Sequence, residues 1–154
     1  MTLIARTTTA IKCSSESAFS VVSNMERFGD WFPGVKSIKS INNLPHGEVG
    51  KKYLEIVSVP IGGEKEIEIT VKESIRFERF VTEGRFLPLL PRMEVVIANS
   101  GENEISLQWS MYSRSDSMAV KILLLPLVKK TMQKRANVGS VRLKRLLERP
   151  LLDD

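Results

Sequence analysis

One cysteine and one histidine are all that 154 residues supply of two side chains often used as metal ligands or in covalent chemistry. A lone Cys13 excludes an intramolecular disulfide, and with a lone His46 it leaves no zinc set to assemble. Long hydrophobic runs are missing too. The longest, Ile122–Val128, has seven residues and contains Pro126, too short to cross a bilayer. The first residues (MTLIARTTTAIK) lack the unbroken apolar core of a signal peptide, so a cytoplasmic protein is expected. Aromatic residues are absent beyond Tyr112, and acids are absent between Ser117 and Leu147. There is no phosphate-binding glycine loop and no Ser-His-Asp set. The sequence calls for no cofactor and no metal.

The charge that is present is unevenly placed. Residues 1–116 carry 14 basic and 15 acidic side chains, a balance of −1, so the net +5 belongs to the C-terminal quarter of the chain. Residues 117–149 hold nine Lys and Arg against Glu148 alone, with Asp153 and Asp154 beyond them. This stretch, SMAVKILLLPLVKKTMQKRANVGSVRLKRLLE, reads as one long helix. It starts after the polar stop Ser115-Asp116-Ser117, repeats apolar residues at Val120, Leu124, Val128 and Met132, and ends before Pro150. Pro126 removes a backbone donor, so a kink beside the sheet is expected there. The stripe Lys121, Lys129, Lys130, Lys134, Arg135, Arg142, Lys144, Arg145 and Arg149 is either a solvated face or a surface for an anionic membrane. With no aromatic interleaved for base stacking, nucleic acid is not expected as a partner.

Almost everything before the helix reads as strand. Ala5–Lys12 is a first strand, followed by a short helix Glu16–Ser23 capped by Ser14 or Ser15. Asn24 caps a second, Met25–Trp31, stopped at Pro33-Gly34. Val35–Ile41 is a weak edge strand. Tyr53–Val59 and Glu64–Glu73 form a hairpin across Pro60 and Gly62-Gly63. In the second of these, Ile67, Ile69 and Val71 alternate with Glu66, Glu68 and Thr70, as on a sheet covered on one side. Arg76–Glu83 follows, then the apolar loop Gly84–Pro91, then the hairpin Met93–Asn99 and Glu104–Ser113. In the last strand Ile105, Leu107, Trp109 and Met111 share a face. One strand, two small helices, a meander and a long helix make a single α+β domain with the helix across the sheet's concave side.

Several stretches carry a family resemblance. They are Ala10–Phe19 (AIKCSSESAF) and Asn24–Val35 (NMERFGDWFPGV), in which Trp31, Pro33, Gly34 and Val35 stand where many bacterial members carry W-x-P-x-V. His46–Gly50 looks like the family's glycine-rich turn, Glu83–Pro88 its apolar loop, and Leu107-Gln108-Trp109 its final strand. With this order of elements the whole chain resembles the START/Bet v 1-like helix-grip superfamily (SRPBCC), in its polyketide cyclase/dehydrase-like branch. The resemblance implies a helix-grip fold: a curved antiparallel sheet of six to seven strands around a long C-terminal helix, with two short helices after the first strand. It also implies an apolar cavity between sheet and helix, and it is nearly silent on activity.

The unpaired apolar faces supply candidates to line that cavity. They are Ile67, Ile69, Val95, Trp109 and Met111 from the sheet, Leu124, Val128 and Met132 from the helix, and Trp31, Phe32, Phe86 and Leu87 at the mouth. Ordinary core packing is the competing reading for each. Two strands leave their facing open: Tyr53, Glu55, Val57 and Val59 against Leu54, Ile56 and Ser58, and Phe77, Arg79 and Val81 against Arg76, Glu78, Phe80 and Thr82. Matching Gly84 to the family's loop favours Phe77, Arg79 and Val81 inward, with Glu55 a partner for a buried Arg79. The alternative puts Arg79 on the outer face. His46, beside Gly47, reads as a solvated turn residue. Cys13 sits at a strand-to-helix junction but has no histidine near it in sequence. Cyclases of this superfamily work with a shaped pocket and Tyr, Trp or Arg side chains, so Tyr53, Arg79 and Trp109 are the catalytic candidates. The leading function is carriage or sensing of a small hydrophobic ligand such as a lipid, isoprenoid or polyketide, by a monomer or homodimer. A cyclase or dehydratase acting on such a ligand is the second reading. A membrane- or ribosome-associated module docking through the basic helix is the third.

Overall fold

A computed structural model describes residues 1–59 and 62–149. The expected turn residue Pro60 and the helix stop Pro150 lie outside the described residues. The strands are β1 (Thr2–Ile11), β2 (Val35–Ser40), β3 (Lys52–Val59), β4 (Gly63–Ile75), β5 (Arg79–Arg85), β6 (Pro91–Gly101) and β7 (Glu104–Ser113). They form one antiparallel sheet in the order β1-β7-β6-β5-β4-β3-β2. Helix α1 (Ser15–Val22) and a 3-10 turn (Met25–Asp30) fill the connection from β1 to β2. The caps are those the sequence offers. Ser14 Oγ accepts from the Ser17 N–H at 3.1 Å, and Asn24 Oδ1 accepts from the Glu26 N–H at 3.1 Å.

The C-terminal helix starts at Met118, where Ser117 Oγ accepts from the Val120 N–H. It is not regular throughout. Val120–Leu124 is a π turn, closed by a bond from the Leu125 N–H back to the Val120 carbonyl, and α2 (Leu125–Glu148) follows with Pro126 in its first turn. The chain is helical from Met118, so Pro126 lies inside the continuous helix, where its missing N–H and its ring disfavour a regular α turn, and the extra residue of the π turn stands just upstream.

Helix α2 is pinned to the sheet from Gln133 onward. Gln133 bridges the Arg6 N–H and carbonyl, Ser140 Oγ donates to Thr7 Oγ1 at 2.6 Å, and Lys144 Nζ donates to the Ala10 carbonyl at 2.8 Å. Glu148 accepts from the Lys12 N–H. Gly139 permits a close approach to the 3-10 region: a Cβ there would meet the Phe32 ring at 3.1 Å. Beneath lie Trp31, Phe32 and Trp109, all buried, with Phe32 and Trp109 ring centroids 5.0 Å apart. The helix is thus sealed onto β1 and the aromatic cluster at one end. Its first half reaches over β3–β5 without filling the space between.

Bulges decide which residues face that space. In β4 the pairs Val71↔Thr82 and Glu73↔Val81 are adjacent although Lys72 intervenes, so one extra residue flips the facing of the strand beyond it. Beyond the bulge Ser74 turns inward opposite Phe80; β5 has no inserted residue, so Phe80, Thr82 and Gly84 share its inner face while Arg79, Val81 and Glu83 face outward. This corrects the expectation that Phe77, Arg79 and Val81 point in. Gly84, Thr82 and Phe80 share one parity, so an inward Gly84 requires an outward Arg79. Phe77 is in the β4–β5 turn at φ 69°. Arg79 lies on the outer face, 3.4 Å from Glu73 and 3.3 Å from Glu94. It joins a network centred on Arg92, which reaches Glu73, Glu94 and Glu83 at 2.6, 2.7 and 2.8 Å. These side chains lie over Val81, which explains a fully buried valine on the face away from the core.

Candidate ligand-binding cavity

Between the concave face of β3–β6, the loop after β5 and the first half of the C-terminal helix lies a cavity of about 500 Å³. That volume suits a small organic ligand. Its walls are chiefly apolar. Ile67 and Ile69 come from β4, Met93 from β6, Met111 from β7, and Leu124, Val128 and Met132 from the helix. Phe28 and Phe32 close one end. Phe86, Leu87, Pro88 and Leu89 form the mouth, where Leu87 is strongly exposed. The loop is held by Ser113 Oγ, which donates to the Leu89 carbonyl at 2.6 Å, and by the Arg114 N–H on the Leu90 carbonyl. Gly84 belongs to the wall because a Cβ there would come within 3.0 Å of Ile67 and Pro91.

Nine of the expected lining residues meet here: Phe32, Ile67, Ile69, Phe86, Leu87, Met111, Leu124, Val128 and Met132. Trp31, Tyr53, Val95 and Trp109 do not reach the cavity. They are fully packed core around it. Phe77 is at the distant β4–β5 turn, packed edge-on to Phe19.

The three catalytic candidates are also placed elsewhere. Arg79 is in the outer ion-pair network. Trp109 is buried with its indole nitrogen unpartnered. Tyr53 turns its hydroxyl to His46 Nδ1 at 2.6 Å, and His46 Nε2 lies 3.2 Å from Glu26. Burial, with a smaller push from Glu26, raises the Tyr53 hydroxyl to about 12. His46, expected as a free turn residue, is therefore the stitch that ties the β2–β3 loop to the 3-10 turn. The Cys13 thiol is pushed up by burial and by Glu148, the opposite of an activated nucleophile. No cluster of His, Cys, Asp or Glu among the described residues has metal-site geometry.

Two residues of the cavity wall are not among the expected lining residues. Glu55 is on the inner face of β3, 7% exposed, and lines the cavity. Burial alone raises its carboxyl from an ordinary 4.5 to about 7. Arg135, one turn beyond Met132, lies at the rim. Its Nη1 donates to the Ser58 carbonyl at 2.6 Å, and no carboxylate pairs with it among the described residues. Gly34, at φ 88°, makes room for it: a Cβ there would stand 2.6 Å from Nη1. Burial pulls its guanidinium below the ordinary value.

The Glu55 shift has a measurable consequence. A carboxyl whose folded pKa is raised binds its proton more tightly in the native state, so its contribution is fully present below about pH 4.5 and is lost as pH rises through about 7. The loss is on the order of 3 kcal/mol. Glu55→Gln removes this titration, so urea unfolding at about pH 8 is expected to show the variant more stable than wild type, with the difference gone near pH 4. A variant equally stable at both would contradict a buried, unpaired Glu55.

No protein-family model and no curated protein matches this sequence. Solved structures do match in shape. A START superfamily protein from Mycobacterium smegmatis superimposes with a TM-score of 0.72 at 16% identity, over 94% of this chain and 99% of that one. A protein from Deinococcus radiodurans gives 0.69 at 13%, over 94% and 96%. The di-domain ARO/CYC BexL from the BE-7585A biosynthetic pathway gives 0.65 at 16%, over 94% of this chain and 50% of that one. The fold is the helix-grip fold. At these identities the likeness is one of fold.

Proposed function

We propose that the protein binds a small hydrophobic molecule, to carry or to sense it, in the cavity between sheet and helix. The observation that carries this reading is the cavity itself. An apolar hollow of about 500 Å³ persists where Met93, Met111 and Met132, among the most adaptable of side chains, line the space without closing it. Unfilled apolar volume costs stability in proportion to its size, and a ligand recovers that cost. The START and ARO/CYC relatives in fold agree with a ligand-binding role. Native mass spectrometry after mild purification tests it. The expected result is a bound apolar species of a few hundred daltons. A protein that is empty and takes up no apolar ligand would overturn the reading.

A second reading, docking to an anionic membrane, is favoured by a specific surface beside the mouth. Met118, Ile122, Leu123 and Leu127 are all more than half exposed, and Leu87 stands exposed on the mouth loop. Lys121, Lys129 and Lys130 accompany them, with no acid between Ser117 and Leu147. An apolar patch ringed by lysines suits the boundary of an anionic bilayer, and here it would bring the mouth to the lipid. No helix among the described residues is long and apolar enough to cross a membrane, so such contact is peripheral. Sedimentation with phosphatidylglycerol vesicles should show binding that weakens with salt. Leu123→Glu should reduce it about tenfold or more. Undiminished binding of that variant would contradict docking through this patch.

A further inference from the structure

Glu55 and Arg135 are polar groups in the cavity wall that no oppositely charged side chain pairs among the described residues. The surroundings of Glu55 are apolar on every side the sheet supplies. Ile38 of β2 and Ile67 of β4 are its cross-strand neighbours, and Val57 is next on its own face. Tyr53, the other same-face neighbour, spends its hydroxyl on His46. The remaining charged side chains on the wall are Lys65 from β4 and Arg135 from α2; β5 offers the neutral Thr82, and the 3-10 turn offers only Met25 and Phe28. No hydrogen bond or ion pair within the protein reaches the Glu55 carboxyl among the described residues. The Glu55 side chain lines the cavity, and a polar group so placed in a binding cavity is explained when a ligand atom completes it.

The two groups differ in what they ask for. Arg135 and Lys65 make the rim cationic, which favours an anion at the mouth and disfavours an amine. Nη1 of Arg135 is fixed on the Ser58 carbonyl, which aims the guanidinium without neutralising it. Glu55 is three residues along β3 from Ser58, about 10 Å at the rise of a strand. Between these anchors lie Val57 and, across from it on β4, Lys65.

We propose that the ligand is an elongated apolar anion, its carboxylate or similar small anionic group held by Arg135, with an oxygen acceptor such as a ketone further along its chain that takes a hydrogen bond from the Glu55 carboxyl. This rests on the cavity-binding reading above, and the test separates the two. Four probes are titrated calorimetrically: dodecanoate, dodecanoate with an in-chain ketone, dodecanol and dodecylamine. Titrations run at about pH 6 and about pH 9, on either side of the Glu55 transition. Wild type is expected to prefer the keto acid over dodecanoate about tenfold at the lower pH, and to lose that preference at the higher one, where Glu55 no longer has a proton to donate. In Glu55→Gln, whose amide donates at every pH, the preference should persist at both. Arg135→Gln should weaken both acids about tenfold and leave dodecanol and the keto preference unchanged.

The inference is overturned if dodecanol and dodecanoate bind but the ketone gains nothing. It is equally overturned if dodecylamine binds best and tightens toward the higher pH, or if Glu55→Gln keeps the wild-type pH dependence. If none of the four probes binds, the cavity reading fails and this inference with it.

Discussion

Trp109→Ala is expected to cost about 3–5 kcal/mol, enough to leave the domain barely folded. Trp109 is the largest fully buried side chain, set in the centre of β7 between Thr7 of β1 and Val95 of β6. Its ring lies against Phe32, which in turn packs under Gly139 of the helix. Truncation therefore opens a void at the point where sheet, 3-10 region and helix meet, and several rigid neighbours cannot all relax into it. Trp109→Phe should cost much less. The indole N–H has no hydrogen-bond partner, so its removal forfeits no bond and relieves a buried donor. Denaturant unfolding of both variants checks this, and similar losses for Ala and Phe would show that the ring's packing is not what holds the joint.

Met132→Trp is expected to abolish ligand uptake while leaving the fold intact. Met132 is buried and lines the cavity from the helix, facing the opening between Val128 and Arg135 rather than a packed wall. An indole there projects into vacant volume, so the overpacking cost of about 1–3 kcal/mol that a filled core would impose is avoided. Cavity filling is among the substitutions that commonly stabilise. Apolar-ligand affinity should fall by about a hundredfold or more, roughly 2.7 kcal/mol, with the melting temperature of the empty protein unchanged or raised. A melting temperature lowered by many degrees would mean that the space is not vacant.

Where alternation is clean, facing was legible in the sequence. Ile67, Ile69 and Val71 in β4, and Ile105, Leu107, Trp109 and Met111 in β7, all point inward as their period of two requires. The same reasoning misplaced Arg79, although β5 has no inserted residue: the error lay in the parity taken from Gly84. Gly84 did carry the answer, since its parity is that of Thr82 and Phe80. Core and cavity wall could not be separated: Trp109 and Met111 are two residues apart on one face, yet only Met111 reaches the hollow. That distinction depends on how far the helix stands from each strand, which the π turn and Gly139 set together.

Glu55 was hidden for a different reason. The sequence left its facing open and offered it only as a partner for Arg79, which lies on the other face; burial without a partner is a property of the assembled walls. Arg135 was likewise one cation in a row of nine. Only the Ser58 carbonyl and the slot at Gly34 distinguish it from the lysines of the solvated face.

The most direct test of a ligand cavity is a fluorescence titration with anilinonaphthalene sulfonate, an apolar anion whose emission rises on leaving water. Wild type is predicted to bind it saturably at one site per chain, with Met132→Trp failing to bind and dodecanoate displacing it. Equal dye binding by wild type and Met132→Trp, or no saturable site in either, would contradict the account.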